Sequence, residues 1–104
     1  MFVVLYRWRI KPNFETQFVE SWSEITARLR EKHESLGSRL HRGGDGFWYG
    51  YAQWKSAEQR ECAFASESEV ISEAIRKMRE AIAESFPETI LDVISDYLVL
   101  PEKN

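Results

Sequence analysis

The chain of 104 residues has a single cysteine, two histidines and no surplus of positive charge. One cysteine cannot form an internal disulfide, and a structural zinc site needs four cysteine or histidine ligands in characteristic pairs. The net charge of −3 argues against a nucleic-acid binder, which carries a basic surplus or stripe. The apolar run after Met1 is too short for a signal peptide or a membrane span. We therefore expect a cytoplasmic protein with no metal, no membrane contact and no nucleic-acid partner.

The hydrophobic pattern predicts one domain that covers residues 1–104. Period-two alternation indicates strands at 2–10, 35–42, 47–54 and 88–100, and a helical period indicates helices at 14–32, 56–65 and 66–86. The last helix is predicted to be longer than the one before it. Its buried side is predicted to carry Val70, Ile71, Ala74, Ile75, Met78, Ile82 and Phe86. This order predicts an α+β, ferredoxin-like βαββαβ fold, with a four-stranded antiparallel sheet and helices on one face.

The third strand carries an unusual density of rings, in the stretch GGDGFWYGYAQW at residues 43 to 54. The glycines and the aspartate predict a hairpin turn, because they accept positive φ. Alternation places Trp48 and Gly50 towards the helices and Tyr49 and Tyr51 on the open face. RNA-recognition modules expose rings on this strand. Their basic residue and first glycine are replaced here by Phe47 and Trp48, so RNA binding is not expected.

The open sheet face is predicted to be a large apolar patch. Soluble monomers rarely expose such a patch, and two copies stacked about a two-fold axis would bury it. We therefore expect a homodimer, with interface residues Val3, Leu5, Tyr49 and Tyr51.

Four strings carry a resemblance to a known family: YRWRIKP, FVESW, LGSRLHRGGDG and YAQWKSAE. Together they resemble the antibiotic biosynthesis monooxygenase group of dimeric α/β-barrel proteins, over nearly the whole chain. The resemblance implies a dimer through the sheets and a pocket between sheet and helices. It also implies oxygenation of a small aromatic or quinol-like molecule without a cofactor. Heme-degrading relatives use an Asn, Trp and His set that this chain lacks, since Tyr6 stands at the Asn position. A non-catalytic ligand-binding or accessory subunit on the same fold is the alternative.

The candidate pocket residues are aromatic. Tyr6 and Trp8 on the first strand, Trp22 on the first helix and Trp48 on the third strand all point between sheet and helices by their spacing. Tyr6 could donate a hydrogen bond or pass a proton. The alternative is that these side chains only fill the core, with their polar atoms bonded locally.

A second candidate group lies on the second strand. His41 has the residue type of a general base, and Arg39 could hold a carboxylate or phenolate. Parity places both on the side opposite Leu40, so a structural or solvated role for His41 is the alternative. On the same open face, Arg7 and Arg9 are predicted to pair with Asp92 and Asp96 across neighbouring strands.

Overall fold

The computed structural model describes residues 1–66 and 69–99. It contains eight elements in this part of the chain: β1 (Phe2–Ile10), α1 (Glu15–Lys32), β2 (Ser38–Arg42), β3 (Trp48–Trp54), α2 (Ala57–Ala65), α3 (Glu69–Ala81), β4 (Ile82–Ser85) and β5 (Thr89–Asp92). The strands form one antiparallel sheet in the order β2-β3-β1-β4, and β5 also pairs with β1. The predicted α+β, ferredoxin-like architecture is confirmed, with helices packed on one face.

The fourth position of the sheet is shared by two short strands. β4 pairs with the end of β1, where Trp8 lies opposite Ser85, and β5 pairs with its beginning, where Leu5 lies opposite Thr89. The β1–β4 register shifts between Arg9 and Ile10, so β1 is irregular where the chain enters the sheet from α3.

The carboxyl-terminal third differs from the sequence prediction in two ways. The last helix ends at Ala81 instead of reaching Phe86, because residues 82–85 bond to the edge of β1. The backbone N–H of Lys11 donates to the Ala81 carbonyl, and that of Phe86 donates to the Arg7 carbonyl. The last strand is also wrong in length, since it stops at Asp92 and residues 93–99 lie outside the sheet. The predictions for the side chains of Val70 and Ile71 and for the strand end at Leu100 fall outside the described residues.

The alternation of β1 and β3 divides the sheet into two chemically different faces. Tyr6 lies opposite Gly50 and points towards the helices, while its neighbour Arg7 lies opposite Tyr49 on the open face. Since successive side chains of a strand point to opposite faces, this register fixes the side of every other residue on both strands.

Two hydrophobic clusters lie between the sheet and the helices. In the first, Phe18 of α1 is fully buried and meets Trp8 and Trp48 edge to face, with ring centroids 5.2 and 5.7 Å apart. The second cluster is built around Trp54, against aliphatic side chains of α1 and the small residues Ala63 and Ala74. Ala63 and Ala74 are only 3% and 1% exposed, so these small residues of α2 and α3 are part of the packed layer.

Candidate functional site

A cavity of about 320 Å³ lies between the sheet and the helices. Its lining comes from β1, β2, β3 and all three helices and is mostly apolar. The described residues that line it include Tyr6, Trp8, Trp22, Leu29, Trp54, Arg60, Phe64 and Met78. A mostly apolar pocket with a few convergent polar groups is the usual form of a small-molecule site.

Gly50 lets the ring of Trp8 lie directly against β3. A Cβ atom at this position would lie 2.8 Å from Cη2 of Trp8 and 3.0 Å from its Cζ3. The indole of Trp8 could not move aside freely, since it stacks on Tyr6 at 5.4 Å with the planes 6° apart and also meets Phe18. Glycine is therefore required here by the close approach of a ring.

The polar corner of the cavity is formed by Tyr6 and Arg60, and Glu88 holds Arg60 from outside the lining. Nη2 of Arg60 donates to the hydroxyl oxygen of Tyr6 at 2.8 Å. The same guanidinium donates from Nη1 and Nη2 to the two carboxylate oxygens of Glu88, both at 2.9 Å. Such a two-point contact fixes the plane of the guanidinium. The three side chains thus connect β1, α2 and the loop between β4 and β5.

The protonation of this corner follows from burial and charge. Burial raises the pKa of Tyr6 above its usual range, although the nearby positive charge and hydrogen bond of Arg60 act to lower it. For Arg60, burial acts to lower the pKa, and the hydrogen bonds to Glu88 and Tyr6 outweigh it, so that the pKa is raised. At neutral pH the corner therefore contains a neutral phenol beside a charged guanidinium and its carboxylate partner.

Three of the predicted pocket residues, Tyr6, Trp8 and Trp22, line this cavity. Trp48 does not: it is buried in the cluster around Phe18, with the Arg42 guanidinium over its ring at 4.9 Å. Its side chain does point between sheet and helices, but at the filled end of that layer. The placement of Trp48 at the pocket is therefore corrected.

Arg39 and His41 also lie away from the cavity. Both are exposed, and their pairing with Tyr51 and Tyr49 places them on the open face. Side chains alternate along β2, and the partly buried Leu40 between these two residues faces the helices. Arg39 and His41 therefore face the other way. Placing Arg39 in the pocket is thus wrong, and His41 is separated from Tyr6 by the sheet.

The strand alternation places the predicted interface residues on the open face, but Tyr51 also contributes to the lining of the cavity. Leu5, Tyr49 and Tyr51 are partly buried, whereas Val3 is only 1% exposed and is thus already covered within the single chain. Tyr49 donates its hydroxyl hydrogen to Oδ2 of Asp45 at 2.6 Å.

Arg7 and Arg9 do not pair with Asp92 and Asp96, contrary to the sequence prediction. The guanidinium of Arg7 lies over the rings of Phe86 and Phe47, 4.1 and 5.0 Å from their centroids. Arg9 approaches Glu84 at 3.7 Å. The cause is the register: β4, and not β5, lies beside this end of β1.

Sequence reasoning missed Arg60, Glu88, Trp54 and Phe64 as parts of the site. Arg60 is the only basic residue of α2, which is a weak signal, and its partner Glu88 is 28 positions away. Only the tertiary structure brings these two side chains together.

No helix in the described ranges is long and apolar enough to cross a membrane. Within residues 1–66 and 69–99, no group of three or more His, Cys, Asp or Glu side chains is arranged to hold a metal ion.

No protein-family model matches the chain, and no curated protein sequence matches it either. Its fold, in contrast, is shared by several solved structures. A putative antibiotic biosynthesis monooxygenase from Caulobacter crescentus superimposes with a TM-score of 0.76 at 14% identity, over 90% of each chain. A similar protein from Chloroflexus aurantiacus gives 0.75 at 12% identity, over 92% of this chain and 95% of that one.

SnoaB from Streptomyces nogalater, described as a cofactor-independent oxygenase, also superimposes with a TM-score of 0.75. Its identity to this chain is 12%, over 92% of this chain and 95% of SnoaB. At these identities the likeness concerns the fold alone. The resemblance seen in the sequence is thereby confirmed at that level: this chain has the ferredoxin-like fold of the antibiotic biosynthesis monooxygenases.

Proposed function

We propose that this chain is a cofactor-independent monooxygenase-like protein that acts on a small aromatic or quinol-like molecule. The observation that carries the proposal is the cavity of about 320 Å³, lined by aromatic rings and polar at the corner of Tyr6 and Arg60. Flat rings such as Trp8 and Trp22 suit a flat aromatic guest, which can stack on them. The shared fold with a protein described as a cofactor-independent oxygenase supports the same reading.

The chemistry needs little from the protein if the substrate supplies the electrons. A naphthol, once it has lost its hydroxyl proton, carries enough electron density on its ring carbon to react with O₂. For 1-naphthol the balance is C₁₀H₈O + O₂ → C₁₀H₆O₂ + H₂O: one ring C–H bond and the naphthol O–H bond break, both carbons become carbonyls, and the second oxygen atom leaves as water with these two hydrogens. The cavity would exclude water, and the Tyr6 hydroxyl would stabilise charge on the substrate oxygen.

The test is turnover of 1-naphthol under ¹⁸O₂ by chelator-treated, dialysed protein. A Cys62→Ser background prevents the quinone product from reacting with the exposed thiol. We expect one labelled oxygen in the quinone, and a loss of up to about tenfold in rate for Tyr6→Phe, as the loss of one hydrogen bond implies. Tyr49→Phe on the open face is the matched control and should keep the full rate. Absence of turnover for every naphthol and quinol tried would reject the oxygenase function.

A ligand-binding subunit without turnover is the second candidate. Among the described residues that line the cavity there is no carboxylate and no imidazole, and the raised pKa of Tyr6 makes it a poor base at neutral pH. Saturable binding of 1-naphthol without O₂ consumption would favour this candidate over the oxygenase.

We also propose that the chain forms a homodimer. Residues 93–99 follow β5 outside the sheet and expose large apolar side chains, with Ile94 at 91% and Tyr97 at 92% exposure. A second copy would cover these side chains together with Leu5 and Tyr51 of the open face.

Sedimentation of the wild-type chain at low micromolar concentration should give about twice the mass of one chain. The double variant Ile94→Asp/Tyr97→Asp should sediment as a monomer, since the two charges would resist burial. Val19→Asp, a change at a partly exposed position of α1, is the control and should remain dimeric. A monomeric wild-type chain would contradict the proposal.

A further inference from the structure

The hydrogen bond between Arg60 and Tyr6 has only one possible direction. A guanidinium has N–H donors and no acceptor, so the Tyr6 oxygen must accept the hydrogen of Nη2 at 2.8 Å. The hydroxyl hydrogen of Tyr6 cannot point at Arg60 and must be directed elsewhere. Within the described part of the chain, no acceptor forms a hydrogen bond with it. The phenol therefore retains an unused donor at the wall of the cavity.

Arg60 can impose this direction because Glu88 holds it in place. The carboxylate accepts from both terminal nitrogens of the guanidinium at 2.9 Å, which fixes both its position and its plane. The Arg60 side chain is 20% exposed, so it is shielded from most competing water. Glu88 stands in the loop between β4 and β5, at the edge where the sheet changes its pairing strand.

The ring of Tyr6 is held as firmly as its oxygen. It lies parallel to the indole of Trp8, with centroids 5.4 Å apart, and Gly50 on the neighbouring strand leaves room for that indole. With the ring stacked and the oxygen bonded to Arg60, the remaining freedom of the hydroxyl is rotation of its hydrogen. An open volume lined by both Tyr6 and Arg60 lies beside it.

We propose that Arg60 and Glu88 are positioning residues that turn the Tyr6 hydroxyl hydrogen into the cavity, where it donates to an oxygen atom of the bound aromatic molecule. The ligand class is therefore an aromatic molecule with an accepting oxygen, in preference to a plain hydrocarbon of the same shape. This inference deepens the proposed function and rests on the same cavity.

Two bicyclic probes of nearly equal shape test it: 1-tetralone, which has a carbonyl oxygen, and tetralin, which has none. Their affinities are measured by calorimetry for the wild-type protein and for Tyr6→Phe, Arg60→Lys and Glu88→Gln. We expect Tyr6→Phe to bind 1-tetralone roughly three- to tenfold more weakly and tetralin unchanged, as the loss of one hydrogen bond implies. Glu88→Gln should also weaken the binding of 1-tetralone, but by a smaller factor, because it loosens Arg60 without removing the hydroxyl donor of Tyr6.

A purely structural role for this corner predicts a different pattern. Loss of structure would weaken the binding of both probes together. It would also lower the melting temperature of the same samples. If Tyr6→Phe loses the same affinity for 1-tetralone and for tetralin, or loses affinity for neither, the inference is overturned. If Tyr6→Phe fails to fold, Glu88→Gln and Arg60→Lys give the same comparison with the phenol intact. A loss of affinity for 1-tetralone alone supports the inference.

The probes require binding alone, so the result is independent of turnover. A protein that prefers 1-tetralone through Tyr6 but oxygenates nothing supports this inference and rejects the oxygenase function. The opposite result is a protein that oxygenates 1-naphthol while its Tyr6→Phe variant binds 1-tetralone and tetralin as tightly as the wild type does. That result supports the oxygenase function and rejects this inference.

Discussion

Tyr6 and Tyr49 show how one sheet gives the same side chain two different roles. They lie on neighbouring strands but on opposite faces, since Tyr6 is opposite Gly50 and Tyr49 is opposite Arg7. Tyr49 donates its hydrogen to Asp45, so its donor is already used, and this bond is the main cause of its raised pKa. Tyr6 accepts from Arg60, and its raised pKa is caused mainly by burial. The direction of the hydrogen bond therefore separates a phenol whose donor is already used from one that can still donate to a ligand.

The largest expected effect concerns the space beside Tyr6. Gly50→Ala should lower the free energy of unfolding by about 1–3 kcal/mol, because its Cβ would overlap the ring of Trp8. Denaturant unfolding measures this change. Gly44→Ala is the control and should leave the unfolding free energy nearly unchanged, since nothing lies within 4 Å of its Cβ position. Equal stability of the two variants would show that the ring of Trp8 can move and that the cavity wall is not rigid.

A smaller effect is expected from the two tyrosine hydroxyls. Tyr6→Phe should cost about 1 kcal/mol of stability, because the partly buried Arg60 loses an acceptor. Tyr49→Phe should leave the melting temperature unchanged, because its bond to Asp45 is exposed to water. A greater loss of stability for Tyr49→Phe than for Tyr6→Phe would invert the comparison.

The smallest effect is on the pH dependence of stability. The folded protein holds the Tyr6 proton more tightly than the unfolded chain does, because burial raises the pKa of Tyr6 above the 10.0 of a free tyrosine. The associated stabilisation is complete below that value and is lost as the pH rises through the raised pKa. The difference in melting temperature between wild type and Tyr6→Phe should therefore be constant from neutral pH to about 10, and it should shrink at higher pH. A difference that changes between pH 6 and 9 would contradict the assignment.

Local patterns were sufficient to predict most of the architecture. The alternation in β1 and β3 correctly places Tyr6 and Trp8 towards the helices, because the side-chain period of a strand is fixed at two. Local spacing gives a wrong result at residues 82–86. The spacing of Met78, Ile82 and Phe86 fits a helix, but residues 82–85 form a strand because they pair with the edge of β1. A tertiary hydrogen-bonding partner overrides a local period in this case.

The candidate site was less predictable than the fold. Alternation gives the face of each residue but not its distance along the strand. It predicts Trp48 at the cavity, although Trp48 lies in the filled cluster around Phe18. The pairing of Arg60 with Glu88 joins elements that are remote in sequence. No local pattern encodes such a contact, which depends on how α2 lies against the sheet.

The four tryptophans provide the most direct test of the central claim, that the cavity beneath the helices is the binding site. Trp8, Trp22 and Trp54 line it, whereas Trp48 does not. In a ¹H–¹⁵N spectrum of the uniformly labelled protein, each indole N–H gives its own resonance. Titration with 1-naphthol should shift the resonances of the three cavity tryptophans in parallel and leave that of Trp48 nearly unmoved. A shift confined to Trp48, or changes only at the backbone N–H groups of Tyr49 and His41 on the open face with all four indoles unmoved, would contradict the account.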